Sequence, residues 1–589
     1  MNFLLVAINA KYIHSNLAVY SLKAYAKEYR DSIEIAEYTI NHYQEYILTE
    51  IYKKKPDVIA FSCYIWNFQY VKEIIEDLRQ LFPDLPIWVG GPEVSFEVKE
   101  FLEENTAVTG VMYGEGEVIF KNLVKYYDSQ QKGGYSKCLD MEQIKGIAYR
   151  NLSEQIIVNE PQALIDMSEI PFCYEDMENF QNRIVYYETS RGCPFSCSYC
   201  LSSVEKKVRF RDLDLVKQEL QFFIDHKVPQ VKFVDRTFNC RHSHVMEIWN
   251  YIKEHDQGIT NFHFEISADL LNNEELALMK TLRPGLIQLE IGVQSTNLPT
   301  IHEINRTMDF EKLKEIVLEI KRGKNIHQHL DLIAGLPFED YNCFTRSFDD
   351  VYRLKPEQLQ LGFLKVLKGS EMYQKAKEYE IVYKIRPTYE VMYTKWLSYQ
   401  ELLEIKKVEE MVEVYYNSGQ FETTLKLIEA AFSSPFQLYK KLGDYYEENE
   451  LTGISHSRLK RYEILLDFAK AYTGADSFIY QESLLYDWYL RENSKSRPEW
   501  VSDLTEYKKE IQDFYFREVQ EFSYLDKEDY QDYTARQLRK MTHIEMFHWN
   551  LLTGEKSRNY FVLFDYKNRD PLTNAAKVTQ IDLMEKSES

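Results

Sequence analysis

The chain has 589 residues, 44% of them apolar and 14% aromatic, which suffices for three or four domains and excludes a disordered protein. Its 93 acidic and 71 basic residues give a formal charge of −22, which argues against an extended nucleic-acid surface. No apolar run of about 18 residues is present to span a bilayer, there is no basic leader, and the few cysteines suit a reducing cytoplasm.

Residues 1–132 alternate short strands with helices. "NFLLVAI" (2–8), "IEIAEYT" (33–39), "DVIAFSC" (57–63), "PIWVGG" (86–91) and "VTGVMY" (108–113) predict strands, and "FQYVKEIIEDLRQLF" (68–82) has helical apolar spacing. Such units predict a doubly wound parallel sheet, whose ligand site lies beyond the carboxyl ends of the strands. The loops there read "INAKYIHSN", "SCYIWN", "GGPEVS" and "GEGE", and Gly90, Gly91, Gly114 and Gly116 let backbone approach a ligand closely. From 133 to 180 the pattern loosens into a linker with a hairpin over 144–160.

A second α/β series occupies 181–385. Its strands are "RIVYYETS" (183–190), "QVKFVD" (230–235), "NFHFEIS" (261–267), "LIQLEIGVQS" (286–295), "HQHLDLIAG" (327–335) and "QLQLGFLKV" (358–366). Six strand–helix units predict a partial or complete parallel barrel, with its chemistry at the carboxyl ends of the strands. The first strand runs into "SRGCPFSCSYC", which crowds Cys193, Cys197 and Cys200 together. Three soft thiolates on a short loop suit an iron–sulfur cluster. A zinc site completed from elsewhere is the alternative, although structural zinc prefers paired Cys-x-x-Cys arms. In a four-iron cubane, three cysteines leave one iron open to a small chelator. Residues 386–589 read as a mostly helical domain, with helices over 398–419, 458–474 and 503–522 and two turn-joined strands near the end.

The N-terminal layout resembles the cobalamin-binding domain at the front of many radical S-adenosylmethionine enzymes, through its "SCYIWN", "VGGPE" and "YGEGE" segments. The resemblance implies cobalamin contacts at Ser62, Trp66, Asn67, Gly90, Gly91, Glu93, Gly114 and Glu115. Where that family carries Asp-x-His-x-x-Gly with a cobalt-ligating histidine, this chain has Tyr12-Ile13-His14-Ser15-Asn16-Leu17. Neither the aspartate nor the glycine is there, so His14 is not implied as a cobalt ligand.

Cys193, Cys197, Tyr199 and Cys200 form the Cys-x3-Cys-x-aromatic-Cys pattern that looks like the radical S-adenosylmethionine signature, and the resemblance covers about 181–370. It implies a [4Fe–4S] cluster on the three cysteines, which would be both its metal ligands and the catalytic centre, with S-adenosylmethionine on the open iron. Asp235 in "FVDRTFN" would approach the methionine amino group, and Arg306 in "INRT" its carboxylate. Gln294 and Ser295 in "IGVQS" would line the same pocket, with Tyr199 and Leu336 as walls for the adenine. Each has a plainer alternative: Asp235 as a helix cap, Arg306 in a surface ion pair, Gln294 on backbone. Glu265 and Glu290 are further candidates from neighbouring strands. Cys240 reads as an inert thiol, and Cys63, Cys138, Cys173 and Cys343 are too scattered for a second cluster.

The expected fold is therefore α/β: a flavodoxin-like or Rossmann-like cobalamin-binding sheet, a central partial (β/α) TIM-like barrel, and a mostly helical C-terminal domain that either caps the substrate cavity or recruits a partner. The family implies reductive cleavage of S-adenosylmethionine to a 5′-deoxyadenosyl radical, and methyl transfer to an unactivated carbon as the leading reaction. Rearrangement, cyclisation or oxidation without methyl transfer is the alternative, and an iron–sulfur electron carrier or regulatory binding protein is the alternative from another class. The implied partners are a small-molecule or peptide substrate and an electron donor such as flavodoxin or ferredoxin, with neither nucleic acid nor membrane.

Overall fold

The computed structural model describes residues 1–131, 140–474, 477–494, 497–501, 503–551 and 555–583. Cys138 with most of the loop around it, and the turn expected between the last two predicted strands, lie outside the described residues.

Five parallel strands open the chain: β1 (Phe3–Asn9), β2 (Ile33–Thr39), β3 (Val58–Ser62), β4 (Ile87–Gly90) and β5 (Gly110–Met112), ordered β2-β1-β3-β4-β5. Between and after them run helices α1 (Leu17–Tyr25), α2 (Gln44–Lys54), α3 (Phe68–Leu81), α4 (Val98–Glu104) and α5 (Gly116–Gln131). β1 is buried along its whole length because both faces are covered. Leu4, Val6 and Ile8 pack with Val71, Ile74, Ile75 and Leu78 of α3, which recur at helical spacing. Phe3, Leu5 and Ala7 pack on the other side with Ile119, Phe120, Leu123 and Val124 of α5. The strand order reverses between β1 and β3, which leaves a crevice at their carboxyl ends.

The segment read as a hairpin over 144–160 forms one, and it extends this sheet. β6 (Ile147–Arg150) pairs antiparallel with β5 and with β7 (Ile156–Val158), making seven strands. Ile144, Ile147 and Tyr149 complete one apolar layer and Ala148 the other, so the segment gains more by pairing than by remaining a solvated tether.

The central sheet contains β8 (Val185–Tyr187), then after the small antiparallel pair β9 (Ser190–Arg191) and β10 (Arg209–Phe210) the parallel strands β11 (Gln230–Phe233), β12 (Asn261–Ile266) and β13 (Ile287–Gln294). The order is β8-β11-β12-β13. Here burial alternates. Tyr187, Phe233 and Phe264 point to helices α6 (Leu213–Asp225) and α7 (His242–His255), where Phe223 and Trp249 meet them at ring separations of 5.4 and 6.0 Å. Tyr186, Lys232, His263 and Glu290 belong to the opposite, inner face.

Two further strands, β14 (His327–Ala334) and β15 (Gln358–Phe363), are each divided between two compact units of the chain. The first unit comprises 1–326, 333–341 and 362–399, the second 327–332, 342–361 and 400–589. In the second unit, helices Tyr399–Met411, Glu422–Glu429, Pro435–Glu448, Arg458–Tyr472, Ser477–Arg491 and Lys508–Glu521 accompany a three-stranded antiparallel sheet over Thr542–Asn550, Glu555–Asp565 and Lys577–Ile581. Its tyrosines are spent on the core: the Tyr415 and Tyr446 hydroxyls lie 2.7 Å apart, those of Tyr352 and Tyr439 3.0 Å. Among the described residues no helix is long and apolar enough to cross a membrane.

Candidate active site

The cysteine loop leaves the end of β8 under tight constraint. Gly192 has φ +92°, and a Cβ there would meet the Lys207 carbonyl oxygen at 2.5 Å, so only glycine fits. Asp235, fully buried just beyond β11, accepts from the Thr189 amide (3.0 Å), the Thr189 hydroxyl (2.6 Å) and the Ser190 hydroxyl (2.6 Å). Burial nevertheless pushes its carboxyl above the usual range. Both carboxylate oxygens thus brace the chain that enters the loop.

Cys193 and Cys197 are buried and Cys200 is half-buried. Cys193 Sγ lies 3.5 Å from the Thr237 hydroxyl, and the Cys200 amide donates to the Cys197 carbonyl at 3.1 Å. Burial raises the Cys197 thiol, and the Arg306 guanidinium, 3.9 Å from its sulfur, opposes that shift. Tyr199, beside the cysteines, is also raised by burial. Cys240 follows in the next turn, its thiol pushed up to about 11 by burial, in keeping with an inert group.

Arg306 also donates to the Gly292 carbonyl, and Gln294 folds back over that glycine with φ +71°. The buried Arg306 Nε, Gln294 Oε1 and Ser198 Oγ atoms have no hydrogen-bond partner. Ser295, fully buried, donates to Glu339 at 2.6 Å and accepts from the Asn297 amide. Leu336 is fully buried in the segment that Thr300 ties down through the Pro337 carbonyl.

On the other side of this site a cavity of about 740 Å³ occupies the crevice above β1 and β3. Ser62, Trp66, Gly90, Gly91, Gly114 and Glu115 line it, as the sequence led us to expect of a ligand site. Gly91, at φ +115°, would drive a Cβ to 2.4 Å from the Cys63 carbonyl oxygen. Asn67 and Glu93 stand outside the lining. Asn67 donates to the carbonyls of Ile8 and Ser62, both at 2.9 Å, buckling two strand ends together, and Glu93 accepts from the Tyr389 hydroxyl.

The opposite wall was not foreseen: Tyr186, Glu188, Arg191, Val234 and Arg236 come from the central sheet and its cysteine loop. The loop after β1 is stitched to that wall. His14 forms a bridge with Ile184, its Nδ1 lies 2.7 Å from the Tyr186 hydroxyl, and the Ser15 hydroxyl donates to the Ile184 carbonyl at 2.9 Å. Burial, then Lys11 and Lys232, lower the His14 pKa and favour the neutral ring. A second seam runs through Arg191, which meets Glu117 at 2.6 Å, Glu188 at 2.9 Å and Glu115 at 3.4 Å, while Arg209 meets Glu115 at 2.5 Å. The "GEGE" loop thus clamps the cysteine loop as well as lining the cavity. The polar residues at alternate positions of "VYYE", Tyr186 and Glu188, were the available sequence signal.

The residues present fit the groups implied. Three thiols on one loop suit a cluster with an open iron, the unpartnered buried polar atoms beside them suit a polar chelator, and the glycine-edged cavity suits a large planar ligand. A B12 binding domain family matches residues 4–124, the radical SAM superfamily 187–351, and DUF4080, a family described as of unknown function, 377–564. The cobalamin-dependent radical SAM methyltransferase TokK of Streptomyces tokunonensis is 27% identical over 314 residues, covering 50% of this chain and 44% of that protein. The anaerobic magnesium-protoporphyrin IX monomethyl ester cyclase of Rubrivivax gelatinosus is 20% identical over 356 residues, covering 59% and 63%. The chain thus spans less than half the length of TokK. The cobalamin-dependent S-adenosylmethionine radical enzyme OxsB with aqua-cobalamin bound shares the fold at a TM-score of 0.51 and 16% identity, covering 82% of this chain and 80% of that one. TsrM from Kitasatospora setae, with cobalamin and a [4Fe-4S] cluster bound, gives a TM-score of 0.51 at 16% identity, covering 65% and 76%. The chain thus carries a B12 binding domain, a radical SAM domain and a C-terminal DUF4080 domain, and the first two imply a [4Fe–4S] cluster, S-adenosylmethionine and cobalamin.

Proposed function

We propose that the chain methylates an unactivated carbon of its substrate. When bound, the cluster with S-adenosylmethionine supplies a 5′-deoxyadenosyl radical for hydrogen removal, and cobalamin supplies the methyl group. The observation that carries this reading is the shared cavity: loops of the N-terminal sheet form one wall, and the carboxyl edge of the central sheet forms the other. Two different jobs at one carbon need that arrangement, because the radical must meet the methyl donor before it meets water.

The chain's own residues do the positioning. Asp235 fixes Thr189 and Ser190 and so aims Cys193, Cys197 and Cys200. Arg306 and Gln294 offer the donor and acceptor that a methionine carboxylate and amino group would use. Ser62, Gly90, Gly91 and Gly114 accommodate cobalamin, and the apolar side chains of Leu5, Leu17, Val19 and Met112 help keep water out of the cavity. Electrons come from a small redox protein such as flavodoxin or ferredoxin.

The similarity to TokK, a methyltransferase by name, supports the reading. The test uses methyl-labelled S-adenosylmethionine with the true substrate, and label is expected on a product carbon. The similarity to the Rubrivivax cyclase favours the second reading, ring formation without methyl transfer. That outcome would appear as product and 5′-deoxyadenosine with no label moved.

A further inference from the structure

The cavity reaches the inner face of the central sheet at Tyr186, and Lys232 stands in register beside it on β11. Lys232 Nζ lies 2.8 Å from a carboxylate oxygen of Glu290 on β13, and His263 Nε2 on β12 lies 3.1 Å from the same group. Burial works against the charge of Glu290, yet the His263 hydrogen bond and Lys232 hold its carboxyl below the usual range. Further along the face of Lys232 and Val234, exposed Arg236 adds a second cation at the cavity wall.

This row is unusual for its position. The inside of a parallel barrel is ordinarily filled with branched apolar side chains. A buried ion pair is a poor stabiliser, because an apolar pair of similar volume is often as good or better. Nor is this pair sealed: 24% of the Lys232 side chain and 21% of Glu290 remain accessible. Lys232 and Glu290 do not line the cavity themselves, but charges kept part-open next to Tyr186, which does, are better explained by a ligand than by the core.

We propose that Tyr186, Lys232 and Glu290 form the substrate subsite, and that the substrate is a small water-soluble molecule with an ionised group at this end. Lys232 donates to a carboxylate or phosphate oxygen, or Glu290 accepts from an ammonium group, while Tyr186 holds the substrate between this pair and the cobalamin side of the cavity. The assignment rests on the shared cavity of the proposed function and is independent of whether a methyl group moves.

The test incubates anaerobic holoenzyme with S-adenosylmethionine, reductant and either the aqueous or the chloroform-soluble phase of an extract of the cells that make the protein. The aqueous phase should raise 5′-deoxyadenosine above its substrate-free rate, and the active fraction should bind an ion-exchange resin. Equilibrium dialysis with mass spectrometry should find an ionic species retained by wild-type holoenzyme. That retention should be lost in Lys232→Met and Glu290→Gln proteins with wild-type iron and cobalamin contents. Stimulation by the chloroform phase alone, stimulation by neither phase, or retention unaffected by both substitutions overturns the proposal. If the aqueous phase stimulates and no methyl label moves, methyl transfer fails and the subsite stands.

Discussion

The N-terminal sheet and the central sheet are both parallel, yet they use their faces differently. β1 buries Phe3, Leu5 and Ala7 on one side and Leu4, Val6 and Ile8 on the other, so a ligand can approach only at the strand ends. The central sheet buries Tyr187, Phe233, Phe264 and Leu289 toward its helices and gives Tyr186, Lys232, His263 and Glu290 to its inner face. The first sheet is a platform for something held at its edge. The second is a platform with a working surface, and the two meet around one cavity.

The largest effect expected of any substitution falls on the cysteine loop. Cys193→Ala, Cys197→Ala or Cys200→Ala should each abolish formation of 5′-deoxyadenosine, because each removes a thiolate that the cluster needs. Anaerobically reconstituted wild type should hold about one [4Fe–4S] cluster per chain. Cleavage surviving in any of the three variants, or about one zinc in place of iron, would sink the assignment.

The contrast between faces can be measured as stability. Ile59→Ala, in the two-sided core of β3, should cost about 2–5 kcal/mol by denaturant unfolding. Gln288→Ala, on the inner face of β13, should fall within about 0.5 kcal/mol of wild type. Equal costs would mean that the inner face is packed like a core.

Buried carboxyls sharpen the same point in a second way. Glu290 has a lysine partner, whereas Asp487 in the C-terminal unit accepts from the Thr423 and Thr424 amides and the Thr424 hydroxyl, all neutral donors. Burial pushes Asp487 up to about 6. Because folding raises this pKa, its contribution is fully present below the ordinary carboxyl pKa and is lost as pH rises through about 6, a change of about 2–3 kcal/mol. Glu290 has the opposite sign: its contribution is present at neutral pH and is lost as pH falls through its lowered pKa. Unfolding at pH 4 and pH 7.5 should show the Asp487 loss in wild type and not in Asp487→Asn; parallel pH profiles would contradict it.

The smallest effect is expected at His14. Its Nδ1 is engaged by Tyr186 and its loop is bonded to Ile184, so His14→Ala should leave the absorption spectrum of bound cobalamin nearly unchanged. A large spectral shift would restore the histidine as a cobalt ligand.

Much of this was legible beforehand, for identifiable reasons. The alternation of apolar strands and amphipathic helices announced both sheets, and the spacing of three cysteines announced the loop between β8 and β10. What escaped depended on tertiary partners. Nothing local in "IKGIAYRNLSEQIIVNE" shows that β6 will pair with β5, because that pairing is set by apolar layers elsewhere in the chain. Asp235 is held by residues 45 and 46 positions away, which donate to both of its oxygens. Nothing in the cysteine loop itself shows that Arg191 will meet Glu115 and Glu117, over seventy positions earlier.

The central claim is that a radical generator and a methyl carrier serve one cavity. The measurement that tests it most directly is the count of products from S-adenosylmethionine in a single reaction with the true substrate. The account predicts one 5′-deoxyadenosine and one S-adenosylhomocysteine for each methylated product. Product accompanied by 5′-deoxyadenosine, with no S-adenosylhomocysteine, would contradict it.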